Sequence, residues 1–208
     1  MRTKRLPRCP TCGLSPNLCV CASLPKLAPR TRIVVVAHRV ELGKTTNTGR
    51  LVAHMLGDHA ELTTADTQPP PLASAGTWVL FPSDDAVPLD EVHERIDTLV
   101  VPDGTWPQAR RIIRRHPYCV DRRRVRLVSP PPSRYQLRRY RDPASLCTLE
   151  SVAYALRAIE GEHGAAVLLA AFEAWQERAI RVRQGAHEQR DACLLGFAEP
   201  DAKPTEGC

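Results

Sequence analysis

The chain has 208 residues, 43% of them hydrophobic and 25% charged, which excludes a multidomain machine, a fibrous chain and a wholly disordered one, and leaves room for one sizeable core. No apolar run approaches the roughly 18 residues of a spanning helix, and the opening MRTKRLPRCP has no apolar stretch behind its charges, so neither a membrane span nor a secretory leader is expected and the chain is read as cytoplasmic. The formal net charge of +6 is unevenly spread: residues 110–141 hold 12 arginines and one acid, Asp121, a local +11 that leaves −5 for the remainder.

Of the 29 basic residues 25 are arginine, whose planar fork suits bidentate phosphate contact better than the point charge of lysine. A GC-rich coding bias would explain that ratio but not its segregation. An anionic polymer, nucleic acid, is therefore the expected partner.

In chain order, the first feature is Cys9, Cys12, Cys19 and Cys21, spaced C-x2-C-x6-C-x-C, with Gly13, Pro16 and Asn17 as turn residues between the pairs. Without a secretory signal, such a cluster is a thiolate site before it is a disulfide frame. Four sulfurs presented tetrahedrally suit a structural zinc, with an iron–sulfur centre as the lesser alternative, and four thiolates leave no open position for chemistry. The other cysteines, Cys119, Cys147, Cys193 and Cys208, are scattered.

RIVVVA at 32–37 predicts a buried strand. Thr45 or Thr46 would cap a helix running to Leu56, with Leu51, Val52, Met55 and Leu56 on its core face and Gly57 past its end. Strands are expected near 61–63, at 78–81, at 98–101 and at 125–128, with a helix after Asp103 that turns Ala109, Ile112 and Ile113 inward and Arg110, Arg111, Arg114 and Arg115 outward. Two amphipathic helices follow, at about 148–159 and 165–182, the second with Leu168, Leu169, Phe172, Trp175 and Ile180 toward the core. The alternation implies an α/β fold with a single, mostly parallel sheet flanked by helices and a ligand site at the C-terminal strand ends. The expected division is a zinc knuckle over 1–30, a catalytic domain over 31–197 and a disordered tail over 198–208.

Three constellations stand where chemistry is expected. The first runs from His38 to Gly49 after the opening strand. His38 occupies the place where a phosphate-wrapping Walker loop requires glycine, so an NTPase is not indicated. What remains is a helix start rich in hydroxyls, with Lys44, suited to an anion; Thr45, Asn47 and Thr48 read equally well as caps. The second is Asp103-Gly104-Thr105-Trp106-Pro107-Gln108. Thr105 and Gln108 have capping-box spacing and Pro107 suits a first turn, but capping does not explain a carboxylate at a strand end beside a glycine and an aromatic. The third is Ser133-Arg134-Tyr135-Gln136-Leu137-Arg138-Arg139, followed by Cys147-Thr148-Leu149-Glu150 at a helix start. Tyr135 and Tyr140 among arginines suit base stacking and phosphate contact, Glu150 suits the helix dipole, and Cys147 reads as a packed residue.

Together, Asp103-Gly104-Thr105-Trp106, the four N-terminal cysteines, Asn47-Thr48-Gly49-Arg50-Leu51, Ser133-Arg134-Tyr135 with Leu137-Arg138, and Cys147-Thr148-Leu149-Glu150 resemble the DTW-domain family, over about residues 9–175. The resemblance implies a tRNA-uridine aminocarboxypropyltransferase that moves the 3-amino-3-carboxypropyl group of S-adenosylmethionine to N3 of a uridine in tRNA, on a SPOUT-like, knotted fold. It implies catalytic roles for Asp103, Thr105 and Trp106, with Asp103 as base or as the group orienting uridine. Asn47, Thr48, Gly49, Tyr135, Leu137, Arg138, Thr148 and Glu150 would line the donor site, and Arg110, Arg111, Arg114, Arg115, Arg134 and Arg139 would hold RNA. The competing readings are another RNA-modifying transferase using the same donor, such as a methyltransferase or one acting on ribosomal RNA, and a zinc-knuckle RNA binder with no catalysis.

Overall fold

The computed structural model describes residues 7–73, 75–137 and 145–184. The strands are β1 (Arg32–Ala37), β2 (Ala60–Thr64), β3 (Thr77–Leu80), β4 (Val87–Pro88), β5 (Thr98–Asp103) and β6 (Arg124–Arg126); the helices are α1 (Arg39–Leu42), α2 (Gly49–Leu56), α3 (Trp106–Arg115), α4 (Thr148–Glu160) and α5 (Glu162–Arg183). The strands form one sheet in the order β2-β1-β5-β3-β6-β4, and every pairing is parallel. This order establishes the parallel α/β sheet; it does not establish the knot.

β1 is buried from Ile33 to Ala37 because helices cover both faces of the sheet. Strand side chains alternate between faces, so Ile33 and Val35 point to one layer and Val34 and Val36 to the other. Ile33 and Val35 join Leu99 and Val101 under α2, α4 and α5; Val34 and Val36 join Val79, Phe81 and Val100 under Ala109, Ile112 and Ile113 of α3. The first layer also takes in Cys12, Leu14, Leu18, Val20 and Leu24, so the N-terminal knuckle shares the main core. Trp175, fully buried on α5, donates its indole N–H to the Cys12 carbonyl at 2.8 Å.

Some boundaries depart from expectation for local reasons. α2 starts at Gly49 rather than at the threonines, because Oδ1 of Asn47 accepts the Arg50 N–H at 3.1 Å and holds residues 45–47 as a loop. The segment after β1, for which no separate helix was expected, contains the short α1, begun where His38 Nδ1 accepts the Val40 N–H at 3.3 Å. The strand expected at 125–128 is β6, shifted to Arg124–Arg126, and β4 was not foreseen: two residues ending in proline carry no apolar pattern, and proline is tolerated at a sheet edge. Among the described residues no helix is long and apolar enough to cross a membrane. The tail over 198–208, Cys193, Cys208, Arg138, Arg139 and Tyr140 lie outside the described residues.

Candidate active site

β1 and β5 are neighbours in register, Ala37 opposite Asp103, so both strands end at the same level. The chain leaving β1 donates the His38 N–H to the Asp103 carbonyl at 2.8 Å. The Asp103 side chain, 9% exposed, is met from two further elements: Nδ2 of Asn47 donates to its Oδ2 at 2.6 Å, and the Thr148 hydroxyl donates to its Oδ1 at 2.6 Å. Thr48 Oγ1 accepts the Leu149 N–H at 3.4 Å and so joins the start of α2 to the start of α4. α3 begins three residues beyond Asp103. Three helices thus begin around one carboxylate, and the positive ends of their dipoles favour negative charge there. Gly49 packs tightly here: a Cβ there would stand 3.1 Å from Asp103 Oδ2 and 3.1 Å from Val35 Cγ1, so a larger residue would press on the carboxylate.

Thr105 and Gln108 form the expected capping box, with the Gln108 side chain accepting the Thr105 N–H at 2.7 Å. Trp106 is 45% exposed, lies edge-on to Phe81 with centroids 5.6 Å apart, and donates to Ser145 Oγ at 3.2 Å. It follows Asp103 by three residues, at the start of α3. Lys44 is ion-paired with Glu41 at 2.6 Å.

Residues 133–137 pass along the other side of the site. Glu150, 1% exposed, receives Ser133 Oγ at 2.8 Å, the Arg134 N–H at 2.7 Å and the Cys147 N–H at 2.7 Å, so its carboxylate pins this segment to the start of α4. Tyr135 stacks near Phe172 and Trp175, with centroids 5.7 and 6.4 Å away, and donates its hydroxyl to the Thr46 carbonyl at 2.6 Å. Leu137 is buried beside them.

The four N-terminal sulfurs lie within 4.8 Å of one another, with Cys9 and Cys21 3.6 Å apart and Cys12 and Cys19 3.6 Å apart. A tetrahedral ion with zinc–sulfur bonds of about 2.3 Å would hold its sulfurs about 3.8 Å apart, so the donor set fits zinc. Burial raises the Cys9 pKa, but hydrogen bonds from the Cys12 and Thr11 backbone and from Cys19 and Cys21 overcome it and bring Cys9 down to about 6. Amides aimed at a sulfur favour the thiolate that a metal needs. Burial pushes Cys12 up to about 11 and, with the charge of Cys12, raises Cys21 as well.

On α3, Arg110, Arg111, Arg114 and Arg115 are all exposed, and among the described residues none of them is in an ion pair. Arg134 is exposed and paired with Glu173 at 2.6 Å. The exposed arginine row of α3 starts beside Trp106 and runs away from the Asp103 site.

The DTW domain family matches residues 6–180. The chain belongs to the DTW domain family. Relatives named tRNA-uridine aminocarboxypropyltransferase 2 include that of Drosophila melanogaster, 31% identical over 173 residues that make up 74% of this chain and 66% of the relative, and that of Macaca fascicularis, 29% identical over 174 residues, 76% of this chain and 58% of the relative. The chain thus spans about three-fifths of the length of these relatives. Among solved structures, the SAM-dependent rRNA:acp-transferase Tsr3 from Vulcanisaeta distributa aligns over 79% of this chain and 85% of its own, at 20% identity and a TM-score of 0.49.

Two residues of this DTW domain that sequence reasoning did not single out shape the site. Gln176, buried on α5, accepts the Gln136 N–H at 2.6 Å and donates to the Arg134 carbonyl at 3.1 Å, pairing with the backbone beside Tyr135. A glutamine between Trp175 and Ala179 on an apolar helix face was the available signal. Arg50 donates Nη1 to the Pro10 carbonyl at 2.6 Å and Nη2 to the carbonyls of Leu42 and Lys44. Burial lowers the Arg50 pKa, while the charges of Cys9, Asp103 and Cys12 oppose that shift. Its place in the Asn47-Thr48-Gly49-Arg50 motif was visible; its link to the cysteines was not.

Proposed function

We propose that this DTW domain transfers the 3-amino-3-carboxypropyl group of S-adenosylmethionine to N3 of a uridine in tRNA. The observation that carries the reading is the Asp103 carboxylate, held by Asn47 and Thr148 where three helices begin, beside exposed Trp106 and the arginine row of α3. The name shared by the Drosophila and macaque relatives supports the same chemistry.

Uridine N3 attacks the methionine γ-carbon, the C–S bond breaks, and methylthioadenosine leaves with the bonding electrons. The sulfonium already activates that carbon. What the chain supplies is alignment and removal of the N3 proton, because the protonated nitrogen is a poor nucleophile. Asp103 accepts that proton, and Asn47 and Thr148 fix the direction in which its oxygens point. The starts of α2 and α4, with Thr48 and Gly49, hold the carboxylate of the donor. Trp106 covers the uracil ring, with Thr105 setting the turn that presents it. Tyr135 and Leu137 wall the donor site, and Glu150 acts on it by holding residues 133–135 in place. Arg110, Arg111, Arg114, Arg115 and Arg134 take the RNA phosphates.

Cys9, Cys12, Cys19 and Cys21 hold zinc, which cross-links the knuckle and supplies no reacting group. Residues 1–30 form that knuckle and 31–197 the catalytic domain. Cytoplasmic residence fits a chain whose four clustered cysteines are needed as reduced thiolates for zinc rather than as disulfides.

The test is mass spectrometry of nucleosides from unmodified tRNA incubated with the protein and S-adenosylmethionine, with methylthioadenosine followed in parallel. An aminocarboxypropylated uridine is the expected product, and Asp103→Asn is expected to slow its formation by about 10²- to 10⁴-fold, the range for a lost general base. Methylated nucleoside with S-adenosylhomocysteine would replace the reading with a methyltransferase. Tight RNA binding with no product from tRNA or ribosomal RNA would replace it with a non-catalytic binder.

A further inference from the structure

We propose that Arg50 is a positioning residue that couples the four-cysteine cluster to the reacting carboxylate, and that loop 42–47 is the element it holds. The inference rests on the reading of Asp103 as the reacting group. A bonded path runs the whole way. The Pro10 carbonyl lies between Cys9 and Cys12, and Arg50 Nη1 donates to it at 2.6 Å; Nη2 of the same guanidinium holds the Leu42 and Lys44 carbonyls. The Arg50 backbone N–H donates to Asn47 Oδ1 at 3.1 Å, and the amide nitrogen of that same Asn47 side chain donates to Asp103 Oδ2 at 2.6 Å.

The loop is gripped from the knuckle at two more points. Gly13, at φ +72°, packs so closely on Thr45 that a Cβ would fall 2.1 Å from the Thr45 carbonyl oxygen. The Cys12 carbonyl accepts from Trp175, which stacks with Tyr135, which in turn donates to the Thr46 carbonyl. Against this, the loop has little to order itself. α1 is four residues long, far below the roughly 12 at which an isolated helix becomes marginal, and the Lys44–Glu41 pair is half-exposed and weak. The order of the loop is therefore borrowed from the knuckle, which is held by its core residues Leu14, Leu18 and Val20 and would be held further by the metal that its four cysteines fit. Only arginine can do this from the first turn of α2, because its fixed fork reaches carbonyls on both sides at once and a lysine ammonium does not.

Arg50→Lys in the full chain is the test, with metal content, amide hydrogen exchange and kinetics read together. The variant is expected to keep one zinc per chain, to exchange the amides of 42–49 about tenfold faster while those of α3 stay unchanged, and to lose about tenfold in kcat with KM for tRNA unaltered. Unchanged exchange at 42–49 in zinc-loaded Arg50→Lys overturns the coupling. If that variant does not fold, the wild type stripped by a chelator gives the decision: exchange at 42–49 that speeds up on zinc removal while α3 stays unchanged upholds it, and equal protection with and without zinc overturns it. Because exchange needs no turnover, a wild type that proves inactive sinks the proposed function while the exchange data still judge the coupling.

Discussion

The hydroxyl of Thr148, at the start of α4, donates to Oδ1 of Asp103, at the end of β5, at 2.6 Å across 45 residues of chain. A buried carboxylate oxygen loses free energy when a donor is removed and nothing replaces it, typically about 1–3 kcal/mol. Thr148→Val keeps the shape and deletes the donor. It is expected to cost about that much in urea-derived unfolding free energy and to lower kcat further than stability alone would, because the carboxylate also loses its orientation. A variant with wild-type kcat would remove Thr148 from the catalytic arrangement.

Gly49 offers a sharper separation of packing from propensity. Alanine is favoured over glycine inside a helix by up to about 1 kcal/mol, so Gly49→Ala in the first turn of α2 should help if propensity decides. The Cβ would stand 3.1 Å from both Asp103 Oδ2 and Val35 Cγ1, so one of them must give way. Sterics are expected to win: a lower melting temperature and at least a tenfold loss of turnover, since displacement of the carboxylate by a few tenths of an ångström spoils a near-attack geometry. A melting temperature above that of the wild type would show that the helix term dominates.

What could be read in advance, and what could not, follows from the range over which each interaction acts. RIVVVA and the run ending at Asp103 are local β-branched patterns, so β1 and β5 and the position of the carboxylate at a strand end were legible. That Asn47 and Thr148 meet at Asp103 was not, because it depends on β1 lying beside β5 with Ala37 opposite Asp103, a pairing that no local pattern encodes. Glu150 was legible as a residue of the first turn of α4, but two of the three donors to its carboxylate, Ser133 Oγ and the Arg134 N–H, come from a segment that precedes α4 by more than ten residues. Arg50 was legible as part of the Asn47-Thr48-Gly49-Arg50 motif, but its contact with the knuckle was not, because that depends on the chain folding back across 40 residues.

His116 gives the fold a pH dependence independent of the cysteines. It is 1% exposed, and burial lowers its pKa below the ordinary value, with the Thr64 carbonyl and the Glu61 charge pulling the other way. The unfolded chain therefore binds the proton at a higher pH than the folded chain does. The stability from a neutral His116 is complete above the unfolded value of about 6.5 and is lost as pH falls through the lower folded value. The melting temperature of the wild type is expected to drop between pH 7.5 and pH 5 by more than that of His116→Gln; equal drops would remove His116 as the source.

The arginine row on α3 makes its prediction through salt rather than through any single contact. Arg110, Arg111, Arg114 and Arg115 are exposed and, among the described residues, without an acidic partner, so each is available to a phosphate. On RNA, every phosphate neutralised releases counterions, and the slope of log K against log salt changes by somewhat less than one per contact. Replacing one of the four by alanine should weaken tRNA binding by only a few fold and flatten that slope by less than one. Replacing all four should flatten it by about three, with the fold unaffected because their side chains lie outside both core layers. The measurement is a set of binding isotherms from 50 to 300 mM salt. A quadruple variant with the wild-type slope would show that the RNA lies elsewhere on the molecule, and that the segregated charge of residues 110–141 serves another part of that segment.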